Sequence, residues 1–198
     1  MKAAARRGPP REVRIIGGQW KRSKLAVLDR PGLRPTPDRV RETLFNWLGQ
    51  DLSGWRCLDA FAGTGALGFE AASRGAAEVV LLERDAVLQR RLREDQQRLK
   101  ATQVRIEVAD ALAWMARCEP DRFELVLLDP PFDSDLFEPA LAAAARLPVE
   151  DGFVYLEAGV AWPAAALSPL GLRLVRHLRA GAVHAHLMQR VPTVAAQG

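Results

Sequence analysis

Apolar and polar residues are patterned along most of this chain in a way that predicts strands and helices in turn. Short apolar runs bounded by polar or turn residues predict buried strands at 55–60, 78–82, 104–108, 123–128, 153–157, 172–178 and 183–189. Predicted helices follow the first four of these strands, at about 69–74, 85–100, 111–118 and 136–147. Strands that alternate with helices are typical of an α/β fold with a doubly wound, mostly parallel sheet, here of seven strands.

A shorter pattern precedes this alternating region. Residues 13–18 predict a strand that ends in a glycine pair, and residues 24–28 predict its hairpin partner. Thr36 is suited to be an N-cap and Pro37 a first helical residue, so we expect a helix that continues to about residue 48. The predicted organisation is a disordered basic tail at 1–12, an N-terminal basic hairpin and helix at 13–50, and an α/β domain at 51–198.

The stretch at 125–132, Leu-Val-Leu-Leu-Asp-Pro-Pro-Phe, predicts a buried strand that stops abruptly. Pro130 and Pro131 lack the backbone N–H that a central strand needs, so the strand cannot continue through them. Pro131 also biases the preceding residue away from helical geometry. We therefore expect a stiff, extended segment at the carboxyl end of a strand, which is where open α/β sheets bind their ligands.

The chemistry that suits this segment is attack by a planar exocyclic amine, whose lone pair is delocalised into its ring. The Asp129 carboxylate and the Pro130 carbonyl can each accept one N–H, which localises the lone pair and stabilises charge developing on nitrogen. Phe132 offers a face on which a base can stack. The candidate catalytic residues are Asp129, Pro130, Pro131 and Phe132. The alternative is an ordinary strand and Pro-Pro turn, with Phe132 in the core.

A glycine-rich loop follows the first strand of the predicted sheet. Residues 63–68, Gly-Thr-Gly-Ala-Leu-Gly, match the pattern G-x-G-x-x-G between a strand and a helix. Glycines let a ligand approach the backbone, and an acid at the end of the next strand, Glu83, can hold two ribose hydroxyls. This pattern alone fits NAD as well as S-adenosylmethionine.

The acids that close successive strands change this balance. Asp59 lies four residues before the first glycine, where a carboxylate repels a pyrophosphate but pairs with an ammonium group. S-adenosylmethionine has an ammonium group and no phosphate, so Asp59 favours it over NAD. Asp110 is placed to meet an adenine edge, although any one of these acids alone could be a helix cap or a surface charge. The candidate cofactor-binding residues are Asp59, Phe61, Gly63, Gly65, Glu83, Arg84, Asp110 and Ala111.

Charge is distributed unevenly along the chain. Residues 1–41 contain 12 lysines and arginines but 3 acidic residues, whereas residues 42–198 contain 16 and 21. A basic segment on a neutral-to-acidic body suggests a polyanionic partner that docks at one end. The candidate RNA-binding residues are Arg14, Lys21, Arg22, Lys24, Arg34, Arg39 and Arg41. The alternative is a solvated basic segment, and Arg39 and Arg41 have the same alternative on their helix.

Other features of the composition narrow the class of protein. No apolar run approaches the roughly 18 residues of a membrane span, and the basic N-terminus lacks the apolar region of a signal peptide. The two cysteines, Cys57 and Cys118, have neither metal-ligand spacing nor the number needed for a disulfide framework. We therefore expect a cytoplasmic protein with no membrane partner and no metal requirement.

Several longer blocks are similar to one family of class I, Rossmann-like methyltransferases. The Asp129-to-Phe132 tetrapeptide resembles the amino-methyltransferase motif (Asn or Asp)-Pro-Pro-(Tyr, Phe or Trp). The blocks at 14–18, 34–36, 38–46 and 59–68, together with the tetrapeptide, resemble the bacterial 16S ribosomal RNA (guanine-966-N2)-methyltransferase family. The chain departs from the family where a hairpin glycine is replaced within 21–24, and where a last-strand aromatic is missing around 184–188.

The resemblance implies methyl transfer from S-adenosylmethionine to the N2 of one guanine in 16S rRNA, within the small ribosomal subunit or its assembly intermediate. It implies that the enzyme acts on assembled particles, and we expect a monomer. Three alternatives stay open on the sequence. They are an adenine-N6 methyltransferase acting on DNA or RNA, an NAD-dependent dehydrogenase, and an RNA-binding assembly factor whose catalysis is incidental.

Overall fold

The computed structural model describes residues 11–28, 36–132 and 134–191. In chain order its strands are Arg11–Arg14 (β1), Lys24–Val27 (β2), Arg56–Asp59 (β3), Glu78–Glu83 (β4), Val104–Val108 (β5), Phe123–Leu128 (β6), Pro148–Ala158 (β7), Leu172–Ala180 (β8) and Val183–Arg190 (β9). The α-helices are Asp38–Trp47 (α1), Ala66–Ser73 (α2), Ala86–Leu99 (α3), Ala111–Arg117 (α4), Phe137–Ala144 (α5) and Ala164–Leu167 (α6), and a 3-10 turn follows at Ser168–Leu170.

The seven predicted sheet strands form one sheet in the order β5-β4-β3-β6-β7-β9-β8. The strands from β5 to β7 are parallel, and β9 runs antiparallel to both of its neighbours. Leu58 of β3 pairs with Val80 of β4 on one side and with Val126 of β6 on the other. The chain therefore reverses its direction of winding between β3 and β6, and ligands bind at such a switch point in open α/β sheets. The expected doubly wound, mostly parallel sheet is confirmed.

Each face of the sheet is covered by a separate apolar cluster. Leu127 and Tyr155 pack on the side covered by α1, α2 and α3, whereas Leu128 and Leu156 pack on the side of α4, α5 and α6. Successive side chains of a strand point to opposite faces, and both faces here are buried, so these strands are almost continuously apolar. Because helices cover both faces, the sheet is accessible to a ligand at the ends of its strands.

The N-terminal segment forms the predicted hairpin, with Val13 of β1 opposite Leu25 of β2. β1 begins at Arg11, within the predicted tail, while residues 1–10 lie outside the described residues. A Cβ on Gly18, where φ is +73°, would lie 1.8 Å from the Ser73 carbonyl oxygen, so glycine is required because the hairpin crosses the end of α2. Arg22 adopts the left-handed conformation, with φ of +73°, within the 21–24 turn where the resemblance leads us to expect a glycine.

The hairpin and α1 bury their apolar side chains in the cluster that also contains the sheet. Val13, Leu25 and Leu44 pack in one cluster with Leu127 and Tyr155. The division of the chain near residue 50 stays a prediction. In the structure, residues on both sides of it share one apolar core. Among the described residues, no helix combines the length and apolar character needed to cross a bilayer.

The sequence missed the short helix α6 and the 3-10 turn after it, and it predicted too short a fifth strand. β7 extends from Pro148 to Ala158, through polar residues 150 and 151 and glycine 152, which have low strand propensity. Pro148 pairs with Phe123 of β6, and pairing resumes at Phe153 with both β6 and β9, so residues 149–152 form an irregularity within the strand.

Candidate active site

A cleft of about 720 Å³ opens at the carboxyl ends of the parallel strands, beside the switch point. Its wall includes Asp59 from β3, Glu83 from β4, Asp129 after β6 and Glu157 from β7. The carboxyl ends of parallel strands meet at one edge of a sheet, so the topology itself brings these acids together. Parts of the glycine-rich loop and the turn between β8 and β9 complete the wall.

The glycine-rich loop joins β3 to α2 and is held by its contacts with neighbouring strands. Gly65 is the left-handed N-cap of α2, with φ of +76°. A Cβ on Gly68 would lie 2.2 Å from Leu81 Cδ2 of β4, so only glycine lets the helix pack this closely on the sheet. The Gly68 N–H donates to Asp59 Oδ2 at 3.0 Å. The loop is therefore a fixed cradle at the floor of the cleft.

Glu83 is held by two backbone amides at the edge of the cleft. Gly63 N–H donates to its Oε2 at 3.0 Å, and Asp85 N–H donates to its Oε1 at 2.8 Å. Each carboxylate oxygen has a second lone pair, so both can still accept a hydroxyl hydrogen bond. A carboxylate fixed in this way suits a pair of neighbouring hydroxyl groups, as on a ribose.

Asp59 is 1% exposed and has one oxygen without a hydrogen-bond partner among the described residues. Burial raises the pKa of its carboxyl to about 7; the N–H groups of Gly68 and Phe61 lower it, and the charges of Glu83 and Glu157 raise it further. An unpaired oxygen of a buried carboxylate is costly unless a donor meets it. A cationic amine in the cleft would satisfy this oxygen and stabilise the charged form of Asp59.

The Asp-Pro-Pro-Phe segment leaves β6 at the cleft, as the sequence predicts for the strand end at Leu128. Pro130 is buried, whereas Phe132 is 37% exposed, with its ring centroid 6.3 Å from that of Phe137. The alternative that Phe132 belongs to the core is therefore not supported. Its exposed ring is available for stacking at the mouth of the cleft.

Asp129 accepts a hydrogen bond on Oδ2 from the Thr36 hydroxyl at 3.4 Å. Removal from solvent raises the pKa of its carboxyl well above the usual range; the charges of Glu157 and Asp59 raise it further, and the Thr36 hydroxyl lowers it. Thr36 was expected to cap α1, which is wrong because the N-cap is Pro37, without a side-chain hydrogen bond. The hydroxyl faces the cleft instead.

Glu157 is a site residue that the sequence reasoning missed. It is 2% exposed, and the buried Tyr155 hydroxyl donates to its Oε1 at 2.9 Å. Burial raises the pKa of its carboxyl to about 7, although Thr36, Tyr155 and Arg41 all lower it. The available signal was that Glu157 closes the fifth predicted strand just as the other acids close theirs. Asp129 and Glu157 thus form a pair of acids at adjacent strand ends.

The remaining predicted cofactor residues differ in what they contribute. Asp110 is exposed, and its Oδ1 accepts the Ala113 N–H at 2.9 Å as the N-cap of α4, which is the alternative role foreseen for it. It also lines the cleft, together with Phe61, Gly63, Arg84 and Ala111. Gly65 does not line the cleft; it shapes the loop that does.

The cations predicted to bind RNA fall into two groups. Arg14, Lys21, Arg22, Lys24 and Arg39 are exposed, while Arg34 lies outside the described residues. Within the exposed group, Arg14 pairs with Asp38 at 3.3 Å and Lys24 with Glu12 at 2.8 Å.

Arg41 forms the second group by itself, and its predicted contact with RNA is wrong. Its side chain is 0% exposed and lies 2.6 Å from Asp38 Oδ1 and 3.4 Å from Glu70 Oε2. The Arg41 guanidinium also donates to the Arg14 carbonyl at 2.8 Å. Arg41 therefore links α1 to the hairpin and cannot reach a phosphate at the surface.

Glu70 of α2 is the partner that explains this burial, and no local sequence pattern indicates the pairing. Its carboxylate accepts the N–H groups of Ile16 at 2.7 Å and Gly17 at 2.8 Å, and it pairs with Arg74 at 2.9 Å. A buried carboxylate with several donors is satisfied, and its removal would leave Arg41 with Asp38 as its remaining ion-pair partner among the described residues. Glu70 and Arg41 thus attach the N-terminal segment to the sheet domain.

The described residues contain no group of histidines, cysteines and acids arranged to hold a metal ion. The two cysteines, Cys57 and Cys118, are buried as free thiols, and burial raises the pKa of Cys57 far above its usual range. These thiols fill space in the core.

The strand order, the glycine-rich loop and the acids at successive strand ends define a class I methyltransferase fold. A solved structure called putative methyltransferase yhhF, from Escherichia coli, superposes with a TM-score of 0.77 at 36% identity, covering 91% of this chain and 98% of the other. The family model described as "Conserved hypothetical protein 95" matches residues 13–189. The chain therefore belongs to this family.

Curated relatives carry a more specific name. "Ribosomal RNA small subunit methyltransferase D" of Escherichia coli strain K12 is 48% identical over 127 residues, which are 64% of this chain and 64% of that protein. The protein of the same name from Haemophilus influenzae is 46% identical over 134 residues, 66% and 69% of the two chains. The chain is thus aligned over just under two thirds of the first relative's length, and the resemblance drawn from the motifs is confirmed for the family.

Proposed function

We propose that this protein transfers a methyl group from S-adenosylmethionine to the N2 of a guanine in the 16S rRNA of the small ribosomal subunit. The observation that carries the proposal is the placement of Asp129 to Phe132 at the end of β6, in the same cleft as the glycine-rich loop. The names of the curated relatives support ribosomal RNA of the small subunit as the substrate.

The residues of the β3–β4 half of the cleft fit S-adenosylmethionine. The unpaired oxygen of Asp59 is suited to its ammonium group, and the Glu83 carboxylate is suited to its ribose hydroxyls. Phe61, Arg84, Asp110 and Ala111 line the part of the cleft left for its base. When bound, this cofactor supplies an electrophilic methyl group.

Asp129 and the Pro130 carbonyl orient the amine that receives the methyl group. Each accepts one N–H, which turns the nitrogen lone pair out of conjugation and stabilises the positive charge developing on nitrogen. The raised pKa of the Asp129 carboxyl suits it to take the proton that the methylated nitrogen releases. Thr36 holds the carboxylate in position through its hydroxyl.

The exposed ring of Phe132 stacks the target base, which must leave any local stack to enter the cleft. One ring is too small a surface to select a single site in a ribosomal subunit. Phosphate contacts by Arg14, Lys21, Arg22, Lys24 and Arg39 supply affinity, and Arg34 stays a candidate of the same kind. We propose a monomer that acts in the cytoplasm on the subunit or its assembly intermediate.

The test is to incubate the purified protein with S-adenosylmethionine and small subunits from cells that lack this enzyme, and to identify nucleosides by mass. We expect one N2-methylguanosine per 16S rRNA. N6-methyladenosine instead would support the adenine-specific alternative, and calorimetric binding of NAD in place of S-adenosylmethionine would support a dehydrogenase. Normal subunit assembly restored by a folded but inactive variant would support the assembly factor.

A further inference from the structure

A second basic region lies at residues 158–198. It does not show when residues 1–41 are compared with residues 42–198, because acids earlier in the second part outweigh its charge. Residues 158–198 contain no aspartate or glutamate, four arginines and all three histidines of the protein. The net negative charge of residues 42–198 therefore comes entirely from the part before this segment. A segment of 41 residues without an acid in a chain that has 24 of them is a strong asymmetry.

Three of these arginines lie on β8, the edge strand of the sheet. Arg173, Arg176 and Arg179 are exposed, and together they form what we call the β8 ridge. Arg173 and Arg176 lie opposite Gln189 and Leu187 on one face of the sheet, and Arg179 lies opposite His184 on the other, so the ridge follows the free edge of the sheet. Their guanidinium groups donate to uncharged oxygens, of Gln189 at 2.7 Å, Val175 at 3.0 Å and Gly181 at 3.3 Å respectively. Within the described parts of the chain, none of the three forms an ion pair, so their charge is not neutralised locally.

Several arginines elsewhere on the surface are, by contrast, paired with acids. On the opposite edge strand, β5, Arg105 pairs with Glu107 at 2.8 Å and with Glu78 at 3.6 Å. On α3, Arg91 and Arg98 share the carboxylate of Asp95. The β8 ridge thus combines cationic side chains with a chain segment that contains no aspartate or glutamate, which is the electrostatic footprint of a polyanion site.

The position of the ridge connects it with the cleft. The turn that joins β8 to β9, at Ala180, Gly181, Ala182 and Val183, lines the cleft wall. The three arginines lie on the strand that leads away from this turn, over a length of about 20 Å at the usual rise per residue. A strand of RNA with one base in the cleft would pass over or beside them.

We propose that the β8 ridge binds the phosphate backbone of the rRNA next to the methylated nucleotide. It would be a second phosphate-binding site, far along the chain from the first, which is the N-terminal hairpin. Arginine presents a planar fork that binds phosphate oxygens in pairs, which suits this partner. The large exposed apolar side chains of the described residues are Val108, Phe132 and Val160, none on β8, so an apolar protein interface is not favoured there. The inference rests on the proposed function.

The experiment measures binding of fluorescently labelled small subunits, taken from cells that lack the enzyme, across a potassium chloride series. Arg173, Arg176 and Arg179 are replaced together by Gln. Each lost phosphate contact should reduce the slope of log K against log salt by about 0.7–0.9, so we expect a slope flatter by roughly two units. S-adenosylmethionine affinity and turnover at saturating subunit should stay unchanged. Arg105→Gln, on the opposite edge, is the matched control and should keep the original slope.

The parallel variant Lys21→Gln, Arg22→Gln and Lys24→Gln tests the hairpin in the same assay, with the same expected flattening if all three residues contact phosphate. A wild-type slope in the β8 variant would overturn the proposal that the β8 ridge binds phosphate. Weaker binding at an unchanged slope also overturns it, since it would indicate a ribosomal protein rather than phosphate.

Two further controls keep the outcomes separable. The single variant Arg179→Gln replaces the triple variant if thermal melting shows that the triple variant is unfolded, and it should flatten the slope by just under one unit. Wild-type methylation of the same subunits is measured first. Its absence would refute the proposed function, whereas normal methylation with an unchanged slope would refute the ridge alone.

Discussion

The two halves of the cleft use carboxylates in different surroundings. In the half built by β3 and β4, Asp59 and Glu83 accept hydrogen bonds from backbone amides of the glycine-rich loop and the β4–α3 connection. In the half built by β6 and β7, Asp129 and Glu157 accept them from the hydroxyls of Thr36 and Tyr155. The same chemical group is therefore fixed by the main chain in one half and by side chains in the other.

This difference suits the β3–β4 half to binding a ligand and the β6–β7 half to accepting a proton. Backbone N–H groups only donate and are fixed by the fold, so they hold a carboxylate in a constant position and lower its pKa against the effect of burial. Hydroxyls can rotate and either donate or accept, so a carboxyl beside them is tolerated in both protonation states. The close approach of two acids at the ends of β6 and β7 raises the proton affinity of that half further. The first half suits a cofactor and the second half suits a reacting amine.

The largest expected effect is on turnover in the β6–β7 half. Asp129→Ala should lower the methylation rate at least about 100-fold, the scale of losing one preorganised electrostatic contact, while cofactor affinity changes far less. Asp129→Asn should retain more activity, because its amide oxygen still accepts an N–H. Asp135→Ala, at an exposed acid outside the cleft wall, is the control. Rates come from single-turnover methylation; an Asn variant as inactive as Ala would show that proton removal outweighs polarisation of the amine.

A smaller effect is expected on cofactor binding in the β3–β4 half. Glu83→Ala should weaken S-adenosylmethionine binding by roughly 1–3 kcal/mol, the scale for hydrogen bonds to a charged group, and the fold should survive. Glu78→Ala is the matched control, since Glu78 lies at the other end of β4 and pairs with Arg105 and Arg122. Isothermal calorimetry measures both. Equal affinities for wild type and Glu83→Ala would remove Glu83 from the cofactor site.

The smallest expected effect is the pH dependence of cofactor binding. The pKa of the Asp59 carboxyl is raised to about 7, so in the free protein it becomes protonated as the pH falls below that value. An ammonium ligand binds the charged form, and its affinity should fall by up to about tenfold per pH unit below 7. Above about 8 an α-amino group begins to lose its own proton, which limits affinity at high pH.

Calorimetry in buffers of different ionisation enthalpy should detect the proton released on binding at pH 6. Asp59→Asn should abolish the low-pH dependence and bind more weakly at pH 7.5. If the wild-type affinity were constant between pH 5.5 and pH 7.5, pairing of Asp59 with the ammonium group would be refuted.

Much of the sheet was predictable because its signals are local. The strands at 104–108 and 123–128 were predicted with their observed bounds. The first alternates apolar and charged residues, and the second is a mostly apolar run that ends in a Pro-rich segment. The strand end at Leu128 follows from the missing N–H groups of Pro130 and Pro131. β7 and α6 were predicted poorly, because long-range pairing extends β7 and because four residues are too few to show a helical period.

The roles of single charges could not be predicted in the same way. Arg39 and Arg41 are two residues apart on one helix, yet Arg39 is exposed and Arg41 is 0% exposed. The partner that decides this is Glu70, which is 29 residues away in the sequence. Thr36 likewise donates to Asp129 across 93 residues rather than capping its own helix. No local pattern records such pairings.

The sequence by itself determined the chemistry offered by this protein: strand after strand closed by an acid, a glycine-rich loop, and a Pro-Pro segment that ends a buried strand in a fixed shape. These features depend on bond geometry and side-chain period, which are properties of a few adjacent residues. Only the tertiary structure decided which of the charges are available. The strand order β3-β6-β7 placed Glu157 beside Asp129, and packing of α1 on α2 buried Arg41, because burial and pairing depend on residues far apart in the chain.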